Sequence, residues 1–318
     1  MKTASPTAIP LLLTLALLVS APARPAATAA AAKGDTDRFD DAPAGQRRTY
    51  KESAGQPRAL ELYFPPGHQP ASAKVPGLLL FHGGGWNGGS LAQFRAACAY
   101  FAQRGLVTAT AEYQMLDAAG RRALPTGTSR KRVCVTDAKS ALRWFKSHAA
   151  ELGVDPARVI TGGGSAGGHL AVLATTNPGL NDPADPKGID TSVAAYLLFN
   201  PAFAPEDKAD PEIDVLRHLP RWQAPALVFF GTQDTWKPGW DTAREKLLAQ
   251  GYTGLDLQLA EGRPHGFFNR DPWRTVTLIE ADRFLVRHGF LQGPPRLKPP
   301  ATGETLTPAP AAKPAAKP

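Results

Sequence analysis

The stretch Arg158-Val159-Ile160-Thr161-Gly162-Gly163-Gly164-Ser165-Ala166-Gly167-Gly168-His169 decides how this chain is read. An apolar run, a glycine-rich break and a return to small residues read as a strand, a sharp turn and the start of a helix. Gly163, Ser165 and Gly167 fit Gly-x-Ser-x-Gly, in which a serine stands at the tip of a strained strand-to-helix turn with its hydroxyl exposed. Such a turn brings the flanking backbones close together, so a side chain two residues before or after the serine would clash. Gly162, Gly164 and Gly167 also spell a dinucleotide-binding fingerprint, which needs a second strand ending in an acid about 20 residues on. Asn177-Pro178-Gly179-Leu180-Asn181-Asp182-Pro183 is a loop where that strand should be. No Gly-Lys-Ser/Thr follows the glycines, which excludes a P-loop.

A serine hydroxyl is a poor nucleophile near neutral pH and needs a base within reach, itself oriented by a third group. In an open parallel sheet such groups gather beyond the carboxyl ends of the strands. Asp234 follows the apolar run 226–230 and His265 follows 255–259, in the chain order Ser, Asp, His that this kind of turn calls for. Ser165, Asp234 and His265 are therefore the expected catalytic set, with Asp256, Asp271 and Asp241 as worse-placed alternatives for the acid. His82-Gly83-Gly84-Gly85-Trp86 follows the strand ending at Phe81, where N–H donors for a developing oxyanion are expected. Gly84, Gly85 and Ala166 are the expected donors and Gly83 the substitute, while His82 braces the loop. Trp86 reads either as a wall of the substrate pocket or as ordinary packing, and His169 as a packing residue on the following helix. Tyr113 lies near the same rim.

Around these residues, strands are expected at 75–81, 106–111, 158–161, 193–199, 226–230 and 255–259. Helices are expected at 91–103, 137–151, 165–175, 242–250 and 275–288, and short strands at 49–51 and 60–64 form a hairpin-like opening. Alternation of this kind means βαβ units: an α/β chain with a mostly parallel central sheet and helices on both faces. One catalytic domain over 49–292 is the simplest division. The polar residues before Thr49 lack the period of a helical cap, so no large N-terminal cap is expected.

The 318 residues carry a formal net charge of +8. No basic helix is interleaved with aromatics, so nucleic-acid binding is not expected. Arg121, Arg122, Arg130, Lys131 and Arg132 form one local cluster, read as a solvated loop or as a rim that favours acidic substrates. Cys98 and Cys134 are too few for a disulfide framework and have no metal-ligand spacing; they read as free and buried, with pairing left open. No metal or organic cofactor is required. Residues 1–23 have a basic start, an apolar run of about 11 residues and the small-residue site Ser20-Ala21-Pro22-Ala23. That describes a signal peptide of a secreted or periplasmic protein rather than a membrane span, which needs about 20 apolar residues. Residues 24–48 read as a flexible lead-in and 293–318 as a disordered Pro/Ala/Lys tail.

Jointly, these segments resemble the α/β-hydrolase superfamily over about residues 49–291, within the carboxylesterase and acetyl-esterase branch related to hormone-sensitive lipase. The resemblance is carried by Phe81-His82-Gly83-Gly84-Gly85-Trp86, Gly164-Ser165-Ala166-Gly167-Gly168, Gly231-Thr232-Gln233-Asp234 and His265-Gly266-Phe267-Phe268-Asn269, with Leu152 to Val159 ahead of the turn. The Gly-Gly-Ser-Ala-Gly-Gly-His form and the opening hairpin are similar to exported feruloyl and acetyl-xylan esterase-like proteins. The resemblance implies an α/β-hydrolase fold and hydrolysis of carboxylic esters through an acyl-enzyme. Two departures weaken a lipase assignment: Tyr113-Gln114-Met115-Leu116-Asp117 stands where that branch has a Tyr-Arg-Leu-Ala-Pro-Glu type segment, and the cap is missing. A shallower site suits a short acyl group, acetyl in type, on a bulky alcohol that includes carbohydrates. A prolyl-oligopeptidase-like peptidase would need a propeller domain for which there is no room. A catalytically silent hydrolase-like binding module is expected to have lost a triad member, and none is lost.

Overall fold

The computed structural model describes residue 1 and residues 42–310 apart from 54 and 117. Among these, nine strands form one sheet in the order β1-β2-β4-β3-β5-β6-β7-β8-β9. Hairpin strands β1 (Gln46–Ser53) and β2 (Gln56–Tyr63) are antiparallel and lead to the parallel strands β3 (Val75–Phe81), β4 (Val107–Ala111), β5 (Val154–Gly164), β6 (Ala195–Phe199), β7 (Ala226–Gly231) and β8 (Leu255–Ala260). β9 (Thr307–Pro308) closes the far edge antiparallel to β8. The five longer helices are α1 (Arg95–Gln103), α2 (Arg130–Ser147), α3 (Ala166–Thr176), α4 (Lys237–Ala249) and α5 (Trp273–Arg287).

The central strands feed two cores in strict alternation, because successive strand side chains point to opposite faces. Leu79, Phe81, Tyr196, Leu198, Val228 and Phe230 face α2, α3 and α4. Leu78, Leu80, Leu197, Phe199, Leu227 and Phe229 face α1 and α5. Both faces are therefore covered, which is why these strands read as unbroken apolar runs. Cys98 and Cys134 are free and buried, one in each core.

Several boundaries differ from expectation. α2 begins at Arg130 rather than 137, because Ser129 caps it by accepting a hydrogen bond from the Arg132 N–H. α4 begins at Lys237 rather than 242, with Pro238 in its first turn, a position where a proline costs no helical hydrogen bond. β1 starts at Gln46, inside the expected lead-in. Residues 293–310, expected to be disordered, pack on the body: Leu297 is buried, the Arg104 guanidinium donates to the carbonyls of Gln292 and Gly293, and β9 pairs with β8. The expected signal peptide, most of the lead-in and residues 311–318 lie outside the described residues. Among the described residues no helix is long and apolar enough to cross a membrane, and no group of three or more His, Cys, Asp or Glu is placed to hold a metal.

Candidate active site

The carboxyl ends of β3, β5, β6, β7 and β8 stand side by side, and the segments leaving them carry the candidate residues. Ser165 lies between β5 and α3 at φ 51°, ψ −118°, a conformation that L residues rarely adopt. What enforces it is backbone contact. A Cβ on Gly163 would lie 2.3 Å from the Phe81 carbonyl oxygen, and one on Gly167 only 1.9 Å from the same atom. Strand β3 thus presses against both arms of the turn, and only hydrogen fits at either position.

Three side chains far apart in sequence meet at Ser165. His265 Nε2 is 2.8 Å from Ser165 Oγ. Its other nitrogen, Nδ1, lies 3.0 and 2.9 Å from the two oxygens of Asp234. Asp234 is nearly inaccessible and is oriented from the protein side by the Trp236 N–H, which donates to Oδ1 at 2.8 Å. The turn bearing Asp234 interlocks with the one bearing His265, since Gln233 N–H donates to the Arg263 carbonyl and a Cβ on Gly231 would meet that same oxygen at 2.0 Å. The alternative acids are engaged elsewhere: Asp256 with Arg287, Asp241 with Lys237, and Asp271 with Arg274 and Thr275 at the start of α5.

Asn200 was not evident in the sequence. It follows β6 at φ 40°, is fully buried, and its Nδ2 donates to Asp234 Oδ2 at 3.1 Å while lying 2.8 Å from His265 Nδ1. Phe199-Asn200-Pro201 at a strand end reads as a turn; the signal that could have found it is a buried-type strand exit beside the loops that carry Asp234 and His265.

The glycine loop after β3 supplies main-chain donors. Gly83 lies against Ser165, but its N–H is already taken by Gln93 Oε1 at 2.6 Å. Gln93 in turn donates to Asn269 beyond His265, tying the two loops together. Gly84 and Gly85 adopt φ 123° and 62°, and among the described residues neither N–H has an acceptor. Ala166 opens α3, so its N–H precedes any helical carbonyl and stands at the positive end of the helix dipole. His82 is buried beneath the loop, stacks on Tyr113 with ring centroids 4.3 Å apart, and bonds the Gly83 carbonyl through Nδ1. Burial lowers its pKa, which favours the neutral ring. Tyr113, whose hydroxyl donates to the His82 carbonyl, supports the loop from below.

Trp86 fits the packing alternative. It is 4% exposed, its Nε1–H donates to His169 Nδ1 at 3.3 Å, and Lys131 Nζ lies 3.9 Å from its ring centroid. With its face and edge both occupied, it packs as a support for the loop. His169, besides accepting from Trp86, bonds the Ile213 carbonyl through Nε2 and stands 3.5 Å from Asp207. The basic cluster is likewise not a simple solvated loop. Lys131 pairs with Asp207 at 2.5 Å and Arg132 makes a fork with Asp210. Burial would raise the Asp207 carboxyl, but its contacts with His169 and Lys131 outweigh that and hold it below the usual range.

A strand-end serine on a strained turn, with an imidazole and a buried carboxylate in line behind it, defines a hydrolase-type site on an α/β sheet. Comparison with known proteins narrows the class. Residues 60–202 match the BD-FAE family. Ethyl acetate hydrolase of Pseudomonas putida is 34% identical over 263 residues, covering 73% of this chain and 77% of that protein. Esterase 2 of Thermogutta terrifontis, in its apo form, superposes with a TM-score of 0.70 at 34% identity, covering 80% of this chain and 98% of that one. Carboxylesterase NlhH of Mycobacterium tuberculosis is 30% identical over a shorter segment, 36% of this chain and 32% of its own length. The chain thus spans about a third of the length of that relative. The protein belongs to the carboxylic ester hydrolase family of the α/β-hydrolase superfamily.

Proposed function

We propose that this chain hydrolyses short-acyl carboxylic esters through a covalent intermediate on Ser165. The observation that carries the reading is the 2.8 Å approach of His265 Nε2 to Ser165 Oγ, with Asp234 on the opposite nitrogen of the same ring. His265 takes the serine proton as Oγ attacks the ester carbonyl, and Asp234 holds the Nδ1–H and stabilises the imidazolium. Gly84, Gly85 and Ala166 N–H groups receive the oxyanion; each donor contributes about 3 kcal/mol in comparable sites. His265 then passes the proton to the departing alcohol, and a water activated by the same ring releases the acid.

Preference for acetyl to butyryl groups is supported by the name of the Pseudomonas relative and by propionate- and butyrate-bound forms of the Thermogutta esterase. A bulky alcohol such as a carbohydrate is supported by the resemblance of the serine turn and the opening hairpin to feruloyl and acetyl-xylan esterase-like proteins. The leader-like residues 1–23 support export to the periplasm or beyond. Paraoxon, which phosphorylates the Thermogutta esterase, provides the test. One diethylphosphoryl adduct on the wild type, absent in Ser165→Ala, is the expected mass-spectrometric result. Unlabelled, well-folded wild type would sink the proposal. A series of nitrophenyl esters should show kcat/KM falling beyond butyrate.

A further inference from the structure

A groove of about 520 Å3 opens beside His265, and no step above uses it. Its walls include Arg263, His265, Asn269, Arg270, Trp273 and Glu304. The Arg263 guanidinium lies over the Trp273 ring, 5.7 Å from its centroid, and Trp273 is itself set edge-on against buried Phe267. A guanidinium stacked in this way is held in place with its in-plane N–H donors open to a ligand. Among the described residues neither Arg263 nor Arg270 has a carboxylate within ion-pair distance. Arg274, Arg283 and Arg287 on the adjoining helix are all paired. Asp271 is matched with Arg274, which leaves Glu304 as the one opposing charge among these groove residues, and its carboxylate accepts from Thr302 Oγ1.

The chemistry assigns a half of the ester to this groove. The acyl group stays on Ser165 while the proton on His265 Nε2 goes to the alcohol oxygen, so the alcohol must lie against the imidazole that forms one wall. We infer that the groove beside His265 receives the alcohol half, and that this alcohol carries a carboxylate, as an acidic sugar does, recognised by Arg263 and Arg270. The inference rests on the ester-hydrolase reading above. It adds a charge requirement that the triad does not contain: two guanidiniums against one carboxylate leave a local excess of positive charge, which a neutral alcohol would leave unmatched.

The test compares kcat/KM for the O-acetyl ester of a uronic acid with that of the same sugar as its carboxamide. Two guanidiniums against the Glu304 carboxylate leave about one net unit charge, which across about 8 Å of water-like dielectric corresponds to roughly a 2-fold preference for the carboxylate at low salt. The preference should shrink toward unity as the ionic strength approaches about 1 M, where the screening length is about 3 Å. Arg263→Gln with Arg270→Gln should abolish it, whereas Glu304→Gln should enlarge it roughly 2-fold. Opposite signs from neighbouring substitutions separate charge recognition from general damage. Equal turnover of the two esters, a preference indifferent to all three substitutions, or turnover of nitrophenyl acetate with neither sugar ester would overturn the inference and leave ester hydrolysis standing. Absence of both turnover and paraoxon labelling would instead remove the reading beneath it.

Discussion

The turn at 163–167 and the segment 200–221 both touch the Ser165 main chain, yet they are held by opposite means. The turn is fixed by main-chain contact, with the Phe81 carbonyl filling the space of any side chain at 163 or 167. The segment, a run of short helical turns, reaches Ser165 through the Ala202 N–H, 3.0 Å from its carbonyl oxygen. It is tied down by side chains reaching across from α2 and α3: Lys131 to Asp207, Arg132 to Asp210, His169 to the Ile213 carbonyl and Asn177 to the Glu212 carbonyl. Steric fixation tolerates no adjustment, whereas charge fixation can be loosened one contact at a time. Ser165 therefore stands on the rigid partner, and the adjustable partner adjoins it.

The sharpest way to break the contrast is Gly163→Ala. With a Cβ forced to within 2.3 Å of backbone oxygen, the turn must open, and a loss of about 4 kcal/mol or more, or failure to fold, is expected in thermal and urea unfolding. A Tm within two or three degrees of wild type would show that the turn is not sterically fixed. Asp207→Asn should cost less, about 2 to 3 kcal/mol, because it strands a half-buried Lys131 but leaves Arg132 with Asp210. Proteolysis should then cut first within 200–221, and uniform destabilisation without such cleavage would count against a separable segment. Asn200→Ala joins the two regions: loss of its bond to Asp234 should lower kcat about 10-fold with KM little changed. An unchanged kcat would leave Asn200 a packing residue.

The smallest effect concerns pH. His82 has a pKa lowered by burial, so between its folded value and the unfolded value of 6.5 the unfolded chain binds more protons. Its contribution is therefore fully present above pH 6.5 and is lost as the pH falls below it. Urea midpoints of the wild type should decline over that interval, with a slope from this group of less than about 1.4 kcal/mol per pH unit. His82→Gln should flatten the decline, although His218 and His288, also lowered by burial, retain part of it. A parallel decline in the variant would remove His82 from the account.

The same contrast explains what could be read in advance. Main-chain fixation leaves glycines at fixed spacing, and unbroken apolar runs mark strands buried on both faces, so the fold, the turn and the positions of the three side chains that come together at Ser165 were legible. Side-chain fixation leaves no such spacing. Nothing in Lys131 or Arg132 announces that they reach Asp207 and Asp210 more than seventy residues away. Asn200 looked like any Asn-Pro turn, because its role depends on two loops that arrive later in the chain. Composition misjudged residues 293–310 for a related reason: a few contacts, from Leu297, Leu306 and the β9 backbone, outweigh many prolines and alanines.

Those contacts carry a consequence for self-association. A parallel sheet that ended at β8 would expose a row of unpaired amides and carbonyls, an invitation for another copy to add a strand. Two residues of β9 block that row, with Pro308 unable to donate outward, while at the opposite margin β1 presents the cations Arg47 and Arg48. Removing residues 293–310 should thus convert a well-behaved solution into one that polymerises on warming, before any loss of secondary structure is visible.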